Sequence, residues 1–191
     1  MSRATAAFVV YPLICLTALT ACRSYRPASE TLGSIPGPGR ESWNVHMYVT
    51  EADPADDHSV PRLELIAEYG VWIEERDTTY QRLTGVDQQV QVVLYDSTGT
   101  VAADIRADNV WYYSQTRRII ADGRVFIESS SGRTLTTEWV EWAEVSRTIR
   151  TNRHVVITSE HESLEGRGLI ATEDLSQYQI GRFSAEVRVD S

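Results

Sequence analysis

The sequence lacks lysine altogether and has only two cysteines, which narrows its chemistry before any motif is considered. All 18 basic residues are arginine, and 27 acidic residues bring the formal net charge to −9. An acidic surface does not favour nucleic acid or an anionic membrane face, because both are negatively charged. Two cysteines do not make a disulfide framework. The composition therefore predicts a folded protein that binds no nucleic acid.

Long apolar runs are also scarce, and the one that stands out lies near the N-terminus, over residues 6–19. It is too short for a secure transmembrane span and suits the hydrophobic region of a signal peptide. The Leu-Thr-Ala-Cys sequence that ends at Cys22 resembles the lipobox of bacterial lipoproteins, in which the cysteine carries the lipid. We expect residues 1–21 to be a signal peptide and Cys22 to be the lipid anchor. An ordinary signal peptide and a short retained membrane anchor are the alternatives.

The chain changes character after Cys22. Residues 23–41 are rich in proline and glycine, which disfavour regular structure. We interpret residues 22–41 as a lipid-anchored flexible tether and residues 42–191 as a single domain. Within that domain, the acidic and proline-containing stretch 51–61 is predicted to be a loop.

Most of the domain alternates apolar and polar residues with a period of two, which is typical of β-strands. We expect about nine or ten strands and no helix, hence an all-β fold. The predicted strands are residues 43–49, 63–74, 90–95, 101–113, 119–129, 133–142, 148–158, 164–172, 178–180 and 183–189.

An internal repeat supports this interpretation, since residues 105–129 align with residues 135–159 without a gap and a weaker copy begins at Leu164. The apolar positions change parity between Ala107 and Val110. One extra residue near 108–109, and again near 138–139, would restore a single apolar face. The repeat therefore predicts β-bulges at these places, which would bend the sheet into a trough.

The repeated unit is similar to the OstA-like repeat of lipopolysaccharide-transport proteins. Its matching positions are Ile105-x-Ala107-Asp108-x-Val110-x-Tyr112, followed by Arg118-x-Ile120-x-x-Gly123-x-Val125-x-Ile127. The order of anchor, tether and β domain, which contains Gly166-Arg167-Gly168-Leu169-x-x-Thr172, resembles the LptC family. The N-terminus departs from that family, because many members keep a transmembrane helix where this chain has a lipoprotein-type signal.

The resemblance implies a twisted, open antiparallel β-jellyroll. It also implies a periplasmic protein, membrane-anchored through its N-terminal lipid and expected at the inner membrane, that works in cell envelope biogenesis. The protein would receive lipopolysaccharide from the permeases of an inner-membrane Lpt ABC transporter and pass it to an OstA-like periplasmic relay protein. The family uses its N-terminal edge for the transporter and its C-terminal edge for the relay. The corresponding residues here are Trp43, Val45, Met47 and Val49 at one edge, and Tyr178, Ile180, Phe183 and Val187 at the other. A protected intramolecular strand is the alternative for residues 183–189.

The candidate lipid-binding residues are the apolar positions of the repeat and of the strands before it. They are Ile66, Ile73, Val92, Leu94, Ile105, Val110, Tyr112, Ile119, Val125, Ile127, Leu135, Val140, Trp142, Ile149, Val155 and Ile157. A lipid-lined trough and a filled core have the same alternation, so both interpretations stay open. Because lipopolysaccharide is itself anionic, an acidic protein would bind it through its acyl chains.

No residue pattern indicates catalysis or a bound cofactor. The four histidines lie in different segments, and the sequence contains no phosphate-binding GxxxxGK[ST] motif. Asp108 and Glu138 occupy equivalent repeat positions, which favours a structural role over an acid–base pair. We therefore expect no catalytic residue, metal or cofactor. A β-rich scaffold or assembly lipoprotein is the alternative function, and a carbohydrate-active enzyme is a less favoured one.

Overall fold

The computed structural model describes residues 39–52, 59–75 and 77–187, so the predicted signal peptide, Cys22 and most of the tether lie outside it. The strands are β1 (Arg40–Ala52), β2 (Ser59–Glu75), β3 (Thr78–Thr84), β4 (Val90–Tyr95), β5 (Val101–Ala107), β6 (Asn109–Tyr113), β7 (Arg118–Ser129), β8 (Thr134–Ala143), β9 (Thr148–Thr158), β10 (Glu162–Thr172) and β11 (Tyr178–Val187). These residues contain no helix, and the all-β prediction is confirmed. Accordingly, the described residues include no helix capable of spanning a membrane.

All eleven strands belong to one sheet, ordered β11-β10-β9-β8-β7-β5-β4-β2-β3-β6, with β1 paired to β2 and β6 also paired to β7. Every pairing is antiparallel. Because β3 and β4 both pair with β2, and β5 and β6 both pair with β7, each of these two couples continues as one long interrupted strand. The sheet is therefore an up-and-down meander. Within the described residues, β1 forms one edge and β11 the other.

Several strands and boundaries differ from the sequence-based expectation. Strand β3 was not expected from the sequence. Leu83 is its one fully buried side chain, so its residues do not alternate between apolar and polar as those of the other strands do. The single strand expected over residues 101–113 is divided at Asp108, whereas the two expected over 178–180 and 183–189 form the continuous β11. Strand β1 begins at Arg40, inside the stretch interpreted as tether. The loop predicted over residues 51–61 is wrong at both ends, because β1 continues to Ala52 and β2 begins at Ser59; residues 53–58 lie outside the described part of the chain.

The register is irregular near 108–109 and 138–139, as predicted, but the extra residues lie in the facing strands β7 and β9 and not at these positions. The irregularities belong to a row of bulges that crosses the sheet. Register shifts lie between Asp122 and Val125 in β7–β8, between Thr137 and Glu141 in β8–β9, and between Arg167 and Leu169 in β9–β10. Opposite β8, the extra residue belongs to β7, since Asp122 pairs with Trp139 and Val125 with Thr137. Because neighbouring strands are irregular at similar heights, the sheet bends along this line, which we call the bulge row.

Asp108 holds the centre of the bulge row together. Its backbone N–H donates to the carbonyl of Gly123 (3.0 Å), a residue with a φ of 76°. Its carboxylate accepts hydrogen bonds from Nε and Nη2 of Arg124, at 3.0 and 2.7 Å to Oδ1. The Arg124 hydrogen bonds lower the pKa of Asp108. These contacts fix the Asp108 side chain and backbone to β7.

Glu68 stabilises the interruption between β3 and β4. Its Oε2 accepts hydrogen bonds from the backbone N–H groups of Val86, Asp87 and Gln88, at 2.5, 2.7 and 3.2 Å. These hydrogen bonds lower the pKa of Glu68. The loop between the two strands is thus fixed to β2 by one carboxylate.

Candidate lipid-binding interior and its rims

The predicted lining residues, apart from Ile66 and Ile73, all belong to one buried core on the inner face of the sheet. Along β8, Leu135, Val140 and Trp142 are completely buried, although the first lies on one side of the bulge row and the other two lie on the opposite side. On β9, Ile149 and Ile157 are also completely buried and lie on opposite sides of the bulge row. The bulge row therefore restores a single apolar face, as the repeat predicted.

Ile66 and Ile73 lie outside this core. The side chain of Ile66 is 38% exposed, because its neighbours Leu65 and Ala67 are the ones that face inward on β2. Ile73 is half-buried and pairs with Tyr80 across β2 and β3. Both faces of β2 carry large apolar residues, so the alternation alone pointed to the wrong face for Ile66.

The inner face is filled by its own side chains in this conformation. Val125, Ile127 and Val155 have no surface accessible to water, and no helix among the described residues covers the sheet. The interior is therefore packed as a core, and an acyl chain could enter only if parts of the sheet moved apart.

The sheet folds across the bulge row so that opposite strand ends come together. One end of the strands contributes Arg62 at the start of β2, Tyr95 at the end of β4 and Ser131 between β7 and β8; we call this the first rim. The other end contributes the second rim, formed by Glu144 and Arg147 between β8 and β9 and by Glu173 and Asp174 between β10 and β11. No strand pairing links the rims within the described residues.

Three polar contacts join the rims. Nη2 of Arg147 donates to the carbonyl of Tyr95 at 3.2 Å. The hydroxyl of Ser131 donates to the carbonyl of Asp174 at 2.7 Å. Nε of Arg62 lies 4.0 Å from Oε1 of Glu144. Side chains therefore close the fold where no β-ladder does.

The second rim repeats one motif in successive units. Arg117 and Arg147 both have a φ of 53°, and their carbonyls accept hydrogen bonds from the backbone N–H groups of Glu144 (3.0 Å) and Glu173 (3.1 Å). Their guanidinium groups reach the same two carboxylates, at 2.6 Å for Arg117–Glu144 and 2.8 Å for Arg147–Glu173. The sequence repeat is thus reproduced as a ladder of arginine–glutamate pairs.

The carboxylates of these pairs are buried, as is the nearby Arg62, whereas the side chains of Arg117 and Arg147 are partly exposed. Glu144 is 3% exposed, Glu173 6% and Arg62 6%. Burial raises the pKa of Glu173, although Arg147 and the Nε1–H of Trp142, which lies 3.3 Å away, act in the opposite direction. Buried ion pairs stabilise a fold less than apolar residues of similar size would, since their desolvation is costly. The contacts between these rim groups are therefore weaker than an apolar interface of similar size would be.

Strand β1 places its predicted edge residues in two environments. Val45, Met47 and Val49 pack partly against the core. Trp43 is 67% exposed, and its ring contacts that of Tyr69 at a centroid distance of 4.8 Å with the two planes tilted by 51°. Trp43 pairs with Tyr69 and Val45 with Ala67 without a register shift between them, so the predicted alternation continues to Trp43 while the burial of the side chains ends at Val45.

Strand β11 forms the other edge. Tyr178 and Ile180 pack partly against the core, and the Tyr178 hydroxyl donates to Glu162 at 3.0 Å. Phe183 and Val187 pair with Gly166 and Glu162 on β10, while their side chains lie outside the described part of the structure.

Two histidines form cross-strand pairs with glutamates. His46 contacts Glu64 at 2.6 Å and lowers the pKa of that carboxyl, and His154 contacts Glu165 at 2.8 Å. Across residues 39–52, 59–75 and 77–187, no three histidine, cysteine or acidic side chains lie close enough together to hold a metal ion.

The chain matches no known protein family and has no significant match among curated proteins. The rim residues were not among the functional residues expected from the sequence. The available signal was the repeat itself, in which Arg117 aligns with Arg147, but their glutamate partners follow one strand pair later.

Proposed function

We propose that the protein is a membrane-anchored periplasmic carrier that receives lipopolysaccharide from the permeases of an inner-membrane ABC transporter and passes it to an OstA-like relay protein. One observation carries the proposal. A continuous apolar face runs along a single antiparallel sheet, and the opening of that sheet is closed by polar side-chain contacts between its rims. Similarity of the repeat to lipopolysaccharide-transport proteins supports the identity of the lipid.

The energetics of the cargo favour a sheltered route. Each methylene moved out of water is worth ~0.8 kcal/mol, so one twelve-carbon acyl chain exposed in the periplasm costs roughly 10 kcal/mol. A lipid with several chains needs an apolar enclosure throughout its passage. Branched and aromatic side chains such as Ile127, Tyr112 and Trp142 would replace water around the chains.

The charge of the protein favours binding through the acyl chains. The formal net charge of −9 opposes the anionic headgroup of lipopolysaccharide. The headgroup would therefore stay outside the rims, in water, while the chains lie against the inner face. Cys22, once acylated, would hold the carrier at the membrane where loading occurs; one acyl chain alone anchors weakly, so two or more are needed.

The two edge strands provide places for partners. Strands β1 and β11 each pair with one neighbour among the described residues, which leaves backbone groups of the outer side for β-augmentation. By the resemblance to the LptC family, β1 would join the transporter and β11 the relay protein. Lipid would then move along one continuous apolar surface from protein to protein.

Photo-crosslinking in cells tests the proposal. A photoreactive phenylalanine derivative replaces Tyr112 or Trp142, both buried on the inner face, and the adducts are analysed for lipopolysaccharide. Tyr113 is the matched control, because it is adjacent to Tyr112 on β6 and is not part of the core; Arg106 is a second, exposed control.

We expect lipopolysaccharide adducts at Tyr112 and Trp142 and none at Tyr113 or Arg106. Adducts at the controls alone would contradict the carrier function. Protein adducts at β1 or β11 without any lipid adduct would instead favour the scaffold alternative.

A further inference from the structure

We propose that the contacts between the two rims form a latch, which separates to admit acyl chains into the interior and closes again behind them; this inference rests on the proposed carrier function. The latch consists of the contacts of Arg62 with Glu144, Arg147 with Tyr95, and Ser131 with Asp174. The position of the latch places the entry route of the lipid on one side of the folded sheet.

The rims are where the fold can open at least cost in hydrogen bonding. Elsewhere, neighbouring strands are joined by antiparallel ladders along much of their length. Separating the rims breaks side-chain contacts and leaves every described ladder intact. The freed groups, being charged or strongly polar, are readily hydrated, so the open state carries no unpaired backbone inside an apolar environment.

The bulge row supplies the bend about which the rims would move. Gly123 and Gly168 lie in this row with φ values of 76° and 81°. An added Cβ at Gly168 would meet only the Thr151 carbonyl, at 3.9 Å, so this part of the row is loosely packed. Small changes there would be amplified at the strand ends, where the latch lies.

Opening would expose the completely buried face to the acyl chains. Trp142 links the two features, because it is part of the core and its Nε1–H donates to Glu173 on the second rim. Loss of the latch would therefore loosen the end of the apolar lining next to it, where a chain would enter first.

Chemical closure of the latch tests the proposal in the full-length chain. Ser131→Cys and Asp174→Cys are combined and bridged across the rims by a short, reducible bifunctional thiol reagent. The control pair, Ser146→Cys with Thr148→Cys, lies within one rim, where the two hydroxyl oxygens are 2.6 Å apart. Variants that carry only one of the two introduced cysteines show whether Cys22 reacts with the bifunctional reagent. Lipid entry is read as the lipopolysaccharide adduct at a photoreactive group in place of Tyr112.

Bridging across the rims should lower the adduct yield at least tenfold, and reduction should restore it, whereas bridging the control pair should leave it unchanged. An undiminished yield in the bridged protein would overturn the latch and leave the carrier function standing. No adduct even without bridging would contradict the carrier function instead.

A second measurement needs no lipid. Spin labels on Ser130→Cys and Gln177→Cys, two exposed positions close to Ser131 and Asp174, report the distance between the rims in the parent and in Glu144→Gln, which removes the carboxylate that faces Arg62. Glu141→Gln is the matched control, because Glu141 accepts from Arg150 at 3.0 Å between adjacent strands and does not join the rims. We expect a second, longer distance to appear with Glu144→Gln only, while circular dichroism keeps its β-sheet signal. One unchanged distance in all three proteins would refute the latch.

Discussion

Two glycines with the same backbone conformation make a sharp test of how the bulge row is built. Gly123, on β7, and Gly132, in the β7–β8 turn, both have a φ of 76°. A Cβ added at Gly132 meets nothing within 4 Å, whereas one added at Gly123 lies 2.7 Å from Oδ2 and 3.0 Å from Cβ of Asp108. Replacing each with alanine therefore imposes the same backbone strain and differs in the contact with Asp108.

The expected magnitudes follow from these distances. A left-handed conformation costs an L-residue about 1–2 kcal/mol, and the reduced entropy of the unfolded chain returns about 0.4–1 kcal/mol. Gly132→Ala should thus lower the free energy of unfolding by about 1 kcal/mol. Overpacking at a tight site adds about 1–3 kcal/mol, which brings Gly123→Ala to about 2–4 kcal/mol. The Asp108 carboxylate cannot simply turn away, because Arg124 holds both of its oxygens.

Urea denaturation followed by tryptophan fluorescence measures the loss of unfolding free energy in both alanine variants. The two losses can be compared if the slope of unfolding free energy against urea concentration is the same in each protein. An Asp108→Gly background completes a double-mutant cycle, since it removes the atoms that the new Cβ would meet. In that background the extra loss of Gly123→Ala should disappear. Equal losses for the two alanine variants in the parent would refute the reasoning, as would an extra loss that persists without the Asp108 side chain.

Further predictions concern the core, the bulge row and the latch. Leu135→Ala, at a completely buried site, should lower the free energy of unfolding by about 2–5 kcal/mol, whereas Ile170→Ala, on a residue that is 60% exposed, should stay within about 0.5 kcal/mol of the parent in the same urea assay. Arg124 lowers the pKa of Asp108, so the folded chain binds that proton less tightly than the unfolded chain. The stability that this ion pair contributes is present above about pH 4 and is lost as the pH falls through the lowered pKa of Asp108. The difference in unfolding free energy between the parent and Asp108→Asn should therefore become smaller on acidification. A difference that stays constant with pH would contradict this. Arg147→Lys should increase the inter-rim distance measured by spin labels, because one ammonium cannot match a guanidinium that contacts both the Glu173 carboxylate on its own rim and the Tyr95 carbonyl on the other rim. An unchanged distance would indicate that charge alone holds the latch.

The fold was largely predictable because its main signal is local. Alternation along each strand and the parity change between Ala107 and Val110 depend on residues close in sequence, and both appear in the structure. Strand β3 was missed because its place in the sheet is set by pairing with β2 and β6, while its own sequence has little alternation. Ile66 illustrates the same limit, since a strand with apolar residues on both faces does not reveal which face turns inward.

The latch could not be predicted from the sequence for a different reason. Tyr95 and Arg147 are far apart in the chain and lie at opposite ends of their strands, so they meet only once the sheet has folded across the bulge row. The ladder of Arg117 with Glu144 and Arg147 with Glu173 was partly visible as matched arginines. Its glutamates are surrounded by other acidic residues in the sequence, and burial alone distinguishes them.

The repeated arginine–glutamate ladder has a consequence for how such a protein can change in size. Each repeat adds two antiparallel strands, and each brings its own rim pair and its own bulge at the same height as its neighbours. Duplication of one unit would therefore lengthen the sheet by about 10 Å, at ~4.8 Å per strand, without changing how the sheet bends at the bulge row or how its rims make contact. The length of the apolar face would then be set by the number of repeat copies.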